Sequence, residues 1–193
     1  MNKALLLTLG VLALIVLALI AATGLLYHLH HRGRASGLPY HVRTEFEFTV
    51  QAPYGVAAPL FGPEGERAWA SDSWNPHFVY PQPARDIEGA VFQVSHGHRH
   101  STWVNTAFDL ENGHIQYVYI IPEMMVTVID LHLSELSASK PSAESTHVRV
   151  AYERTALSAD VNEHVREFGE ADRKNGKVWG EDIERYLVTQ RSR

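Results

Sequence analysis

Three small constellations of side chains along this chain have the types and spacing for chemistry. Glu66 and Arg67 stand just ahead of Trp69. The planar Arg67 guanidinium suits a ligand carboxylate, but the preferred reading is a structural ion pair fastening the short helices to the sheet. His96, His98 and His100 alternate, so an extended backbone would aim three imidazoles to one side, the arrangement that binds a divalent metal. No carboxylate lies near them in sequence to complete the set, and the reading preferred is a polar hairpin tip. Asp130 and His132 share a face of an apolar stretch and match an acid/base pair, although simple solvent-facing alternation explains them as well. No Gly-rich phosphate loop, nucleophile elbow or His-Glu-x-x-His pattern occurs. No catalytic residue is identified, and neither a metal nor a cofactor is expected.

A larger group is apolar. Trp69, Trp74, Phe78, Tyr80, Phe92, Trp103, Tyr117, Tyr119 and Met124 lie on or beside candidate strands. Large aromatic and thioether side chains line ligand cavities when a few polar groups join them, and otherwise fill a core. Asn105 shares a face with Trp103 and Ala107 and is the expected polar handle. Tyr117 and Tyr119 share a face with Ile115 and Ile121, where a hydroxyl can fix a ligand while its ring packs.

The elements that must position these residues follow from periodicity. Between Ser158 and Thr189, the residues Val161, Val165, Phe168, Ala171, Asp172, Asn175, Trp179, Ile183, Tyr186 and Leu187 recur at spacings of three and four. That pattern is one face of a long helix, with Ser158 or Asp160 as its cap and Asp160 with Glu163 as a capping box. Gly176 interrupts it without breaking phase. Residues 41–50 alternate as a half-buried strand, short helices are expected at 54–60 and 64–69, and strands at 77–80, 90–95, 101–110, 114–121, 124–136 and 147–157. Asn112-Gly113 suits a tight hairpin connection, and a polar loop is expected over 140–145. Hairpin-like connections indicate an antiparallel sheet, hence an α+β protein.

Residues 4–26 form an apolar run of about 34 Å if helical, enough to cross a hydrocarbon core of about 30 Å. It exceeds the usual core of a secretory signal, so an uncleaved single-pass anchor is expected. Arg32, Arg34 and Arg43 after it, against Lys3 before it, lean toward a cytoplasmic domain, in a bacterial inner membrane. His28, His30 and His31 are read as a solvated flank rather than a metal cluster. The division expected is an anchor and basic flank at 1–32, a linker at 33–39, one domain at 40–189 and a tail at 190–193. The 193 residues carry a net charge of −5 with scattered cations, which leaves no footprint for nucleic acid. Without cysteine there is no disulfide or thiolate nucleophile.

Glu66-Arg67-Ala68-Trp69, followed by Trp74-Asn75-Pro76-His77-Phe78-Val79-Tyr80-Pro81, resembles the signature of the SRPBCC superfamily. That group joins START-like, polyketide cyclase/dehydrase and birch-pollen-allergen-like proteins. Glu88-Gly89-Ala90-Val91-Phe92, Ser101-Thr102-Trp103 and Tyr152-Glu153-Arg154-Thr155-Ala156-Leu157-Ser158 are similar to its pattern in the same order. The resemblance spans about Tyr40 to Leu187. It implies a helix-grip fold, a curved antiparallel sheet wrapped around the C-terminal helix with an apolar cavity between them. Since one fold hosts many functions, it does not fix an activity. The expectation is a membrane-anchored domain whose partner is a hydrophobic small molecule or lipid. The alternatives are a cyclase/dehydratase-type enzyme using the same cavity, and a protein-binding subunit of a membrane complex.

Overall fold

Residues 37–97, 99–136 and 144–192 are described by the structure, a computed structural model. The first strand, β1 (His41–Val50), places Val42, Thr44, Phe46, Phe48 and Val50 inward and charged residues outward, as its alternation dictates. Two short helices, α1 (Tyr54–Ala57) and α2 (Pro63–Glu66), follow, joined by a 3-10 turn at Ala58–Phe61. Strands β2 (His77–Tyr80), β3 (Val91–His96), β4 (Arg99–Asp109), β5 (His114–Ile121), β6 (Met125–Leu136) and β7 (Ser145–Ala156) come next, and the chain ends on α3 (Asn162–Arg191). All seven strands form one antiparallel sheet in the order β1-β7-β6-β5-β4-β3-β2. Strands two to seven are therefore a run of consecutive neighbours. The first strand alone crosses the chain, to pair with the last.

Helix α3, 30 residues and about 45 Å long, lies against the inner face, principally on β1. Its buried residues are Val165, Gly169, Asp172, Gly176, Ile183 and Leu187, with Phe168, Trp179 and Tyr186 half-buried, whereas Ala171 is exposed. The glycine at 176 is a close-approach residue rather than an interruption: a Cβ there would lie 2.8 Å from the Phe46 ring. The expected capping box is replaced by a 3-10 turn at Ala159–Val161, with no side-chain cap at the start of α3. Asn162 instead fastens the helix to the preceding segment. Its Oδ1 accepts from the Tyr40 amide (2.7 Å) and its Nδ2 donates to the Leu38 carbonyl (3.1 Å).

One buried ion pair joins helix to sheet. Arg154 on β7 donates through Nε and Nη2 to the two Asp172 oxygens, both at 2.7 Å, and through Nη1 to Thr127 Oγ1 (3.1 Å) and the Tyr119 hydroxyl. Thr44 Oγ1 donates to Asp172 from β1 (3.3 Å). The guanidinium also lies 4.7 Å from the centre of the Tyr152 ring and 5.2 Å from that of Phe168. Burial pushes Arg154 toward losing its proton, but the Asp172 carboxylate outweighs it and holds the guanidinium charged.

No helix among the described residues is long and apolar enough to cross a membrane. The anchor expected over residues 4–26, the His28, His30 and His31 flank and most of the expected 140–145 loop lie outside the described residues.

Candidate functional site

The segment from α1 to α2 closes one end of the space between α3 and the sheet, and side chains fasten it there through its carbonyls. Trp69 Nε1 donates to Leu60 (2.7 Å), Trp74 Nε1 to Pro63 (3.0 Å) and the Tyr117 hydroxyl to Phe61. Asp86 holds α2 in place by accepting from the amides of Glu64 (2.9 Å) and Gly65 (3.1 Å). Gly62 makes room for that carboxylate, since a Cβ there would lie 2.1 Å from Asp86 Oδ2.

Behind this closure is a cavity of about 270 Å³. Its aromatic walls come from Trp69 and Trp74 beside α2, Trp103 on β4, Tyr117 on β5, Tyr152 on β7 and Trp179 on α3. All four tryptophans of the chain line it. Neighbouring indoles meet at steep angles, Trp69 with Trp179 at 62° and Trp74 with Trp103 at 85°, so they form walls rather than one stack. Ile129, Val178, Ala70, Ser71 and Ser73 complete the lining, with Asp182 from α3 paired to Arg185 (2.6 Å). None of these lining residues is basic.

Two buried side chains in this lining, Glu66 and Tyr152, carry a polar group with no hydrogen-bond or ion-pair partner among the described residues. Glu66 is 8% exposed and Tyr152 is 5% exposed, and neither the carboxyl nor the hydroxyl makes a side-chain hydrogen bond or ion pair there. Burial, and then the charge of Asp86, holds the Glu66 carboxyl well above the usual carboxylate range. Burial likewise raises the Tyr152 hydroxyl well above a free phenol, against the opposing pull of Arg154. The polar atoms of Glu66 and Tyr152 are not fully enclosed, Asn105 Oδ1 being the fully buried side-chain atom without a partner among the described residues, so they open onto the cavity, where a ligand can supply their hydrogen bonds.

The residues singled out by sequence divide. Glu66, Trp69, Trp74, Trp103 and Tyr117 line the cavity. Phe78, Phe92, Tyr119 and Met124 are buried but pack in the core outside it, and Tyr80 is 57% exposed. Asn105 is wholly buried and points elsewhere: Nδ2 donates to the Ile87 carbonyl (3.1 Å), and Oδ1 has no partner among the described residues. It keeps the inward face in register with Trp103, opposite Tyr117, but its amide is taken by the loop carbonyl of Ile87, and the bulge that follows it shifts Ala107 instead. Arg67 does not pair with Glu66. It faces outward, to Glu64 (2.7 Å), Asn75 (3.0 Å) and the Pro76 carbonyl, and is unavailable to a ligand acid in the cavity. Tyr152, Trp179 and Asp182 were missed as lining residues. The signal for Trp179 was its place on the inward stripe of α3, which identifies a buried face but not a gap in it.

On the opposite face, Asp130 accepts from His114 (2.8 Å), Gln116 (3.1 Å) and His132 (3.2 Å), with the two imidazoles stacked at 4.9 Å. Their ligand atoms fall within 4.8 Å of one another, close enough to hold a metal ion. Burial raises the Asp130 carboxyl, but the hydrogen bonds from His114 and Gln116 and the nearby histidine charge outweigh it and hold it low. His114 joins the expected Asp130 and His132 only through the strand register, His114 opposite His132. The histidine tract does not form a turn throughout. β3 runs to His96, β4 begins at Arg99, and His100 Nδ1 is 2.9 Å from Ser95 Oγ.

No family model and no curated protein matches the chain. Solved structures do. Ara h 8.0201 shares 13% identity at a TM-score of 0.52, over 78% of this chain and 99% of its own. A truncated norcoclaurine synthase from Thalictrum flavum shares 9% identity at 0.54, over 80% and 97%. Mll3558 protein from Rhizobium loti shares 16% identity at 0.51, over 76% and 99%. The norcoclaurine synthase was also solved in complex with dopamine and hydroxybenzaldehyde, at 9% identity and 0.53 over 78% and 88%. At these identities the likeness is one of fold: the described residues from Leu38 onward adopt a helix-grip fold, as these structures do.

Proposed function

We propose that this chain is a membrane-tethered binding protein that takes a small apolar molecule into the cavity beneath α3. The observation that carries the reading is the aromatic cavity in which Glu66 and Tyr152 face the interior without protein partners. Its volume is nearly twice the roughly 150 Å³ that admits benzene, and just under the range of about 300–1,000 Å³ typical of drug-sized ligands. One or two fused rings fit better than a full acyl chain. A neighbour of the same fold holding two small aromatic molecules supports the same size class.

The apolar run at residues 4–26 supports the tether, and the arginines after it support a cytoplasmic domain. Tethering raises the local concentration of a membrane-dissolved ligand. An enzyme acting in the same cavity is the second reading, and Glu66 beside Tyr152 favours it. A carboxyl and a phenol that both titrate above their usual ranges are the pair such chemistry would use as base and acid.

Gentle purification of the full chain from its host, native mass spectrometry and organic extraction test the binding reading. A stoichiometric small aromatic or lipid-derived molecule supports it, and conversion of that molecule during incubation supports the enzyme. Displacement of an environment-sensitive naphthyl dye gives a second readout. Ala70→Trp, which fills the cavity from its lining, should lower dye affinity at least ten-fold while the fold is retained. Undiminished dye binding in that variant would refute the cavity as the site.

A further inference from the structure

Glu66 is difficult to account for if the occupant is merely apolar. A buried carboxyl in a lining that is mostly aromatic and aliphatic costs stability, and Ser71, Ser73 and the Tyr152 hydroxyl already provide neutral polar groups there. A buried carboxyl is normally matched by a cation, and the cavity has none of its own. The nearest guanidinium behind Tyr152, that of Arg154, is committed to Asp172 through both carboxylate oxygens. Arg67, the neighbour in sequence, is turned outward to Glu64 and Asn75. The charge that Glu66 lacks is thus absent from the chain's own side of the site.

We infer that the cavity selects a small aromatic or alkyl ammonium ion, with Glu66 as its counter-ion and the surrounding indoles as its cation–π walls. The inference rests on the binding reading above and narrows its ligand class. Indole is the strongest aromatic partner for a cation, and four surround this space. The lining carries two carboxyl groups, Glu66 within and Asp182 beside Arg185, and no basic residue, so it offers no cation to pair with a ligand carboxylate or a developing oxyanion. The Tyr152 hydroxyl can accept a second N–H of a primary ammonium. In the empty cavity burial disfavours the ionised form of the Glu66 carboxyl. Ammonium binding favours the ionised form, and the displaced proton leaves to solvent, with no covalent change.

Isothermal titration with three isosteric probes tests this: 1-naphthylmethylamine, 1-naphthalenemethanol and 1-naphthoate. Wild type and Glu66→Gln are compared as full chains in the same non-ionic detergent, so probe partition into micelles is common to both. The expected result is that wild type binds the amine at least ten-fold tighter than the alcohol and the carboxylate most weakly. Glu66→Gln brings amine and alcohol within about three-fold of each other. Trp74→Leu removes one wall without touching the carboxyl and should also narrow the amine preference. Equal or tighter binding of the alcohol by wild type overturns the inference, as does an amine preference that survives Glu66→Gln. If the naphthyl dye binds but none of the three probes does, the ammonium inference falls and the binding reading stands. If the dye fails as well, both fall.

Discussion

The ion pair between Arg154 and Asp172 gives the sharpest test of how the fold holds its cavity open. The two side chains are 5% and 2% exposed, and Asp172 accepts two charge-assisted bonds at 2.7 Å. Asp172→Ala removes both acceptors and leaves a guanidinium buried against Tyr152, Phe168 and Thr127 with only hydroxyl partners. An uncompensated buried charge costs about 3–5 kcal/mol, a fifth or more of the roughly 5–15 kcal/mol that stabilises a domain. Urea unfolding followed by tryptophan fluorescence reads the loss, since all four indoles lie around the cavity beside this pair. The companion variant Arg154→Met with Asp172→Leu removes both charges and keeps the volume, and should fall within about 2 kcal/mol of wild type or exceed it. A loss below about 1 kcal/mol for Asp172→Ala would show that the pair is solvated, contrary to its burial. A double variant as damaged as the single one would show that geometry, rather than unpaired charge, is what Asp172 provides.

Three further outcomes are expected. Glu66 carries a raised folded-state pKa, so between its unfolded value near about 4.3 and that higher value the native state holds a proton the unfolded chain has lost. Stability therefore falls as pH rises through that window, by up to about 1.4 kcal/mol per pH unit, and Glu66→Gln should outlast wild type in urea at neutral pH but match it near pH 4. Asp130 has the opposite sign: its lowered pKa contributes stability above the unfolded value near about 3.9 that is lost as pH falls through the folded one. Asp130→Asn should cost about 1 kcal/mol or less at neutral pH, with the difference vanishing in acid, as read from urea midpoints. Gly62→Ala would push the Asp86 carboxylate off the Glu64 and Gly65 amides, costing about 1–3 kcal/mol and weakening dye binding as α2 shifts; an unchanged urea midpoint would exclude that close approach.

Alternation in β1 and β5 and the three-and-four spacing in α3 were enough to assign these elements, because a half-buried strand or helix writes its inward face directly into the chain. The same rule put Asn105 on the inward face beside Trp103, where it is, but could not foresee that the Ile87 carbonyl takes its amide, nor the bulge that shifts Ala107 after it. It could not separate Trp103, which lines the cavity, from Phe92, which packs in the core beside it, because both face inward. Whether an inward position meets a neighbour or a gap depends on where the helix crosses. His114 escaped notice for a related reason: its meeting with His132 depends on strand register, and the two are joined by no local pattern. The separation of Glu66 from Arg67 depends on the turn of α2, which points one residue inward and the next to solvent.

The pairing of the first strand with the last has a consequence for how this protein comes off the ribosome. His41 meets Thr155 across 114 positions, and α3, which covers β1, is made later still. Closing a loop of that length costs about 4 kcal/mol in chain entropy, beyond a constant, before any contact rewards it. The strands from β2 to β7 can zip as successive hairpins while translation proceeds, but β1 must wait for nearly the whole domain. Until then it is a nascent strand with an apolar side and no cover. Its outward row of Arg43, Glu45 and Glu47 is the kind of charge that discourages adhesion to other growing chains. Synthesis arrested before α3 should therefore yield a sheet without its ligand chamber, and a protease should remove residues 38–50 from such a stalled chain while sparing the hairpins behind them.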